Sequence, residues 1–209
     1  ISALQTGGMG EGWSDFYALC LLSQPGDDVN GNYAAGGYAT YQLSGLTSNY
    51  YYGIRRYPYT TDMTKNPLTL KDIDPTKASA HSGVPHSPIF SDPTVSSSEV
   101  HNEGEVWCVT LWDVRANLIN KLGATAGNNM AIQLVTDGMK LSPANPTFLQ
   151  ARDAIVQADL VDNGGANKNE LWVAFAKRGM GASASVPANS TTTGVVEAYD
   201  IPDNLGITP

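Results

Sequence analysis

A mainly α fold, wrapped on one side by a long irregular segment, is what this sequence predicts, and three observations carry it. Apolar residues recur at spacings of three and four in five separate stretches, one near the start and four in the second half. Residues 24–98 instead hold Gly, Pro, Ser, Asp and Tyr in short clusters with no sustained period. The helical stretches also end on breakers, as at Gly123 and Gly179.

Taken in order, residues 11–23 set Trp13, Phe16, Tyr17, Cys20 and Leu21 on one apolar face. Residues 103–121 repeat the spacing through Val106, Val109, Trp112, Val114, Ala116 and Ile119, and Gly123 follows as the stop. A third helix is expected over 127–141, ended by LSPANP. Pro146 and Thr147 lead into a fourth over 147–160, and a fifth covers roughly 167–178. An irregular stretch as long as 24–98 inside a compact domain is usually a lid or a binding loop. The tail, 182–209, alternates small and β-branched residues and points to an extended strand. The four tryptophans fall on apolar faces and read as core. No internal repeat is visible, and a single domain over 1–209 is expected.

Composition narrows the function. The chain has 209 residues, enough for a full core, and with 42% apolar and 15% charged residues it is globular. A net charge of −8 with no basic patch argues against nucleic acid as a partner. No apolar run approaches the ~18 residues of a membrane span. Only 12 Lys and Arg beside 21 Gly and 10 Tyr suits a secreted protein. The chain begins Ile-Ser-Ala-Leu-Gln, without Met or a charged leader, and reads as a processed product rather than a whole gene product. Cys20 and Cys108 each lie in an apolar helical pattern; they read as buried free thiols, or as one bridge between neighbouring helices in an oxidising compartment.

The chemistry concentrates in few places. In GGMGEGWSDFYALCLL, residues 7–22, Glu11 and Asp15 stand one helical turn apart. Acids favoured by a helix N-terminus explain the pair, and so does a metal site. The chain has three histidines. His81 and His86 sit in the Pro-rich HSGVPHSPIF, and His101 in SSSEVHNEGEVW. None forms an HExxH pair.

GGMGEGWSDFYA resembles the third-ligand motif of the fungalysin family, secreted elastinolytic zinc metallopeptidases related to thermolysin. EVHNEGEVW, QLVTDGMKLSPANPTFLQARDAIVQAD and GGANKNELWVAFAKRGMG are similar to later blocks of that family in the same order. The resemblance runs from residue 5 to about 181 and implies the helical C-terminal lobe of a thermolysin-like peptidase. Its HExxH helix, which in the family supplies two zinc-binding imidazoles and a general-base glutamate, is not in this chain, so a partner lobe carrying HExxH is implied. Zinc is then expected in the complete enzyme, and held weakly or not at all by this chain alone. The implied substrates are proteins and peptides, in an extracellular setting.

The resemblance also implies roles. Glu11 matches the zinc-binding carboxylate. Asp15 lies about 6 Å further along the helix, where it accepts the outer N–H of a ligating histidine. His101 matches the residue that hydrogen-bonds the oxyanion; its bland reading is a histidine satisfied by local backbone at a helix start. The family has an acid five residues before it, where this chain has Ser96, which leaves Glu99 or Glu103 to orient the ring. Arg55, with Arg56 behind it, matches an arginine that donates to the substrate backbone; the alternative is a surface pair bound to Asp62 or Asp72. Tyr57 and Tyr59 line the cleft or pack. DDVNGNY, residues 27–33, offers Asp28, Asn30 and Asn32 as calcium oxygens, but its glycine is misplaced for an EF-hand and a turn is the simpler reading. Glu105 reads as a dipole or capping residue. Two rival classes stand beside the peptidase. One is a non-catalytic module that binds a peptide or a partner lobe. The other is a glycosidase built on paired carboxylates, which here lie on one helix turn rather than across a cleft.

Overall fold

A computed structural model describes residues 4–90 and 97–203. Its elements are α1 (Leu4–Leu22), α2 (Gly37–Ser44), α3 (Asn49–Tyr52), a 3-10 turn (Leu70–Ile73), α4 (Val100–Leu122), α5 (Ala124–Leu141), α6 (Phe148–Asn163) and α7 (Lys168–Lys177). The five expected helices are present, and α1, α4 and α5 each start several residues earlier than expected. The segment read as irregular holds the short α2 and α3, which are rich in tyrosine and too brief to show a period.

Helix α4 is the hub. Glu99 caps it by accepting the His101 N–H at 3.0 Å. Val106, Trp107, Cys108, Val109, Leu111, Trp112, Val114 and Leu118 are all buried, so α4 hides almost its whole circumference. It packs against α1, α5, α7 and the 3-10 turn, and α6 closes the bundle against α5. Trp107 anchors the joint, meeting Trp13 edge-on at 6.0 Å and Phe148 at 5.5 Å and stacking on Phe175. Trp107 and Trp112 are core, whereas Trp13 and Trp172 are only partly buried. Leu21, expected on the apolar face of α1, is 72% exposed, and Met9, Phe16, Leu19 and Cys20 fill that face instead. Both cysteines are free and buried, and burial pushes the Cys20 thiol up to about 12, which keeps it inert.

Glycine sets the distance between α1 and α4. A Cβ on Gly12 would sit 2.5 Å from the Gly104 carbonyl oxygen, and one on Gly104 only 2.8 Å from Glu11 Cβ. Further along, α6 opens with a capping box, in which the Gln150 N–H donates to Thr147 Oγ1 and the Thr147 N–H to Gln150 Oε1.

The irregular segment is fixed by helix side chains. Arg178, fully buried, donates to the carbonyls of Thr60, Asn66 and Leu68 and to Asp113 Oδ2 of α4 at 2.6 Å. The tail does not form a strand among the described residues. It makes only isolated bridges, Met180 with Ala198 and Ser185 with Val196. Side chains take several of its other backbone groups: Asp74 accepts from the N–H of Gly194 and Val195, and the Gln5 amide donates to the carbonyls of Pro187, Ala188 and Thr191. No helix among the described residues is long and apolar enough to cross a membrane.

The glycine contact makes a direct prediction. Gly12→Ala should destabilise the fold by about 1–3 kcal/mol, since neither backbone can yield, and lower Tm by roughly 2–12 °C. Gly26→Ala, at an exposed position with nothing within 4 Å, should stay within about 0.5 kcal/mol. Thermal denaturation of the two variants measures the difference.

Candidate active site

Three separate parts of the chain converge on the Glu11 carboxylate. Glu11 projects from α1 and is partly exposed. His101, in the first turn of α4, brings Nε2 to 3.5 Å from Glu11 Oε2. Arg55, just past α3, brings Nη2 to 3.8 Å from the same oxygen. The glycines between α1 and α4 make this approach possible.

Behind them lies a supporting layer. Arg55 grips Asp15 with two hydrogen bonds, from Nε at 2.6 Å and Nη2 at 2.9 Å, a bidentate geometry that fixes the guanidinium plane. The Tyr59 hydroxyl donates to Asp15 Oδ2 at 2.5 Å. Burial alone would lower the Arg55 pKa, but the hydrogen bond to Asp15 and the neighbouring charges raise it. Burial, with Cys108 and Asp15 close by, holds the Tyr59 hydroxyl well above its ordinary value, so it stays a donor. Within this chain, then, Asp15 is engaged by Arg55 and Tyr59.

Glu99 orients His101: Nδ1 stands 2.6 Å from Glu99 Oε1, which turns Nε2 toward Glu11. Ser96, the position where the family carries an acid, lies outside the described residues. The other histidines bond elsewhere, His81 Nε2 to Asp72 Oδ1 and His86 Nε2 to the Phe90 carbonyl. Arg55 pairs with neither Asp62 nor Asp72. Tyr57 and Tyr59 are both buried and pack rather than line an open cleft. In the 27–33 stretch, Asp28 accepts from the N–H groups of Asn30 and Gly31, which is a turn closed on itself.

Two glutamates depart from the sequence reading. Glu105 is not a cap: it is buried and accepts from the Arg56 backbone N–H at 2.8 Å and from Arg56 Nε at 3.0 Å. Glu103 is fully buried against Gly8, and neither of its carboxyl oxygens has a hydrogen-bond partner. Burial, with a smaller push from the Glu99 charge, raises its pKa to about 8. Its place in the sequence, in a helix's first turn, looks like ordinary dipole chemistry, so only its environment marks it out.

Comparison with protein families matches residues 1–184 to the fungalysin metallopeptidases (M36). This chain belongs to that family. The chain is 41% identical over 197 residues to the extracellular metalloproteinase mep of Aspergillus fumigatus, covering 88% of this chain and 26% of the relative. The extracellular metalloproteinase MEP of Neosartorya fischeri is 40% identical over the same length. The extracellular metalloproteinase 1 of Trichophyton equinum is 39% identical over 205 residues, 91% of this chain and 29% of the relative. The chain thus spans little more than a quarter of the length of these curated relatives.

The orphaned carboxyl of Glu103 gives stability a pH dependence. Because folding raises its pKa above the ordinary 4.5, the folded protein keeps a proton that the unfolded chain releases. Its contribution is complete below about pH 4.5 and is lost as pH climbs through about 8, at up to ~1.4 kcal/mol per pH unit. Glu103→Gln should therefore flatten this decline, and urea denaturation of both proteins at pH 5 and pH 9 checks it.

Proposed function

We propose that this chain is one lobe of an extracellular zinc metalloendopeptidase. In this reading Glu11 is a zinc ligand, His101 and Arg55 act on the substrate, and Asp15 positions Arg55. The observation that carries it is the convergence of His101 Nε2 and Arg55 Nη2 on one Glu11 oxygen, within a chain of the fungalysin family.

The Glu11 carboxylate fits a metal ligand. It accepts no hydrogen bond among the described residues, and its contacts with His101 at 3.5 Å and Arg55 at 3.8 Å leave oxygen lone pairs for a metal. The described residues hold no group of three or more His, Cys, Asp or Glu arranged for a metal, which fits a lobe that contributes one ligand to a set completed by a partner lobe. Zinc, when bound, supplies Lewis-acid polarisation of the scissile carbonyl and an activated water.

The chain's own residues do the rest. Glu99 holds the His101 ring at Nδ1 and turns Nε2 into the cleft, toward the substrate. In this reading Nε2 donates to the peptide oxygen that gains charge as its carbon becomes tetrahedral. Arg55, with its plane locked by Asp15, donates to a backbone carbonyl beside the cleaved bond and holds the substrate in register.

The decisive experiment compares Glu11→Ala and His101→Ala in the full-length peptidase. Glu11→Ala should empty the zinc site. His101→Ala should keep about one zinc per chain and a near-normal KM while kcat falls roughly 100- to 1,000-fold. Full zinc in Glu11→Ala, or a wild-type kcat in His101→Ala, would overturn the assignment. The 209-residue chain alone should lose zinc on dialysis against a mild chelator.

A further inference from the structure

At the far end of α1 from Glu11, roughly 13 Å along the helix axis, a groove of about 290 Å³ opens between the end of α1, the turn after it, α4 and the start of α5. It is near the lower bound of the ~300–1,000 Å³ range of small-ligand sites. Its walls are mixed, with Leu21, Val29, Ile119 and Ile132 apolar and Arg115, Asn128 and Asn129 polar.

Arg115 is the unusual element. It is only 4% exposed, yet no carboxylate lies within 4.0 Å of its guanidinium among the described residues. Every other buried arginine has an acid: Arg55 has Asp15, Arg56 has Glu105, Arg152 has Asp153 and Arg178 has Asp113. Arg115 instead donates from Nε to Asn128 Oδ1 at 2.6 Å, bonds the Cys20 thiol, and lies 4.2 Å from the Trp112 ring centroid. These contacts use a minority of its five donors. Asp27, the one acid on the groove wall, turns its Oδ2 to the Gln24 N–H.

The start of α5 adds a second source of positive potential. Ala124 and Thr125 line the groove, and the N-cap is Gly123, which offers no side chain to the first N–H groups of this 18-residue helix. A buried cation with no carboxylate in ion-pair contact, Asp27 acting on it only from further off, and a helix start without a side-chain cap thus face one partly apolar cavity. Burial lowers the Arg115 pKa, the penalty that an arriving anion would relieve.

We propose that this groove binds a carboxylate carried on a short apolar body, with Arg115 and the α5 N-terminus on the carboxylate and Leu21, Val29, Ile119 and Ile132 around the body. Two sources share that chemistry, the C-terminal carboxylate of a peptide ending in an aliphatic residue and a free short-chain fatty acid. The site is separate from the cleft around Glu11 and does not depend on how that cleft works.

Titration calorimetry on the full-length protein tests it with N-acetyl-L-leucine, its neutral amide N-acetyl-L-leucinamide, and hexanoate. N-acetyl-L-leucine should bind at least tenfold more tightly than the amide. Hexanoate binding as tightly as N-acetyl-L-leucine assigns the groove to free fatty acids, and weaker binding assigns it to peptide ends. Arg115→Met should remove the preference for the charged ligand. Thr125→Tyr, a change at an exposed groove position, should block binding without touching the core and covers the case in which Arg115→Met fails to fold. Equal binding of acid and amide, no binding of either carboxylate, or undiminished binding in Thr125→Tyr would overturn the proposal.

Discussion

The close approach of α1 and α4 governs this molecule. Two helices whose facing residues were larger than glycine could not bring Gly12 and Gly104 together, and Glu11 and His101 would then be held apart. Glycine inside a helix costs about 0.5–1 kcal/mol relative to alanine, so the α1–α4 pairing is maintained against local propensity. The gain is geometric. Side chains from two helices distant in sequence come within 3.5 Å of each other on rigid supports.

The same contact explains why charge lies so deep. With α4 enclosed on nearly all sides, the irregular segment can fasten to it only through long side chains. Arg55–Asp15, Arg56–Glu105 and Arg178–Asp113 are three buried pairs, and each ties loop or helix-end backbone to α1 or α4. Such pairs add little net stability over apolar packing, but breaking one leaves an uncompensated buried charge at a cost of roughly 3–5 kcal/mol. They act as registration devices that hold the loop in one place. Glu103 is the exception, a buried carboxyl given no partner among the described residues.

Much of this was legible in the residue order. The five long helices announce themselves by period and by Gly123, Thr147 and Gly179, and the family by the segments around Glu11 and His101. What stayed hidden depended on distance along the chain. That Glu105 meets Arg56, 49 positions away, or that Asp15 meets Arg55 and Tyr59, follows only once α1 and α4 are docked. Helices α2 and α3 escaped because four to eight residues cannot display a 3.6-residue period. Leu21 misled for the opposite reason: it keeps the helical spacing, yet it stands on the wall of the open groove between α1, α4 and α5 and stays exposed. The tail's alternation suggested a strand, but its backbone makes only isolated bridges and otherwise bonds in part to the Gln5 and Asp74 side chains.

Arg178 carries a consequence for biosynthesis. It anchors Thr60 and Asn66 from 118 and 112 positions further along the chain. At a ribosomal rate of roughly 5–20 residues per second, the irregular segment emerges on the order of ten seconds before its fastener exists. During that interval the backbone around Thr60, Asn66 and Leu68 lacks the donor that holds it. The nascent chain must therefore pass through a stage in which this stretch is open to aggregation and cleavage, and α7 is the latch that ends it.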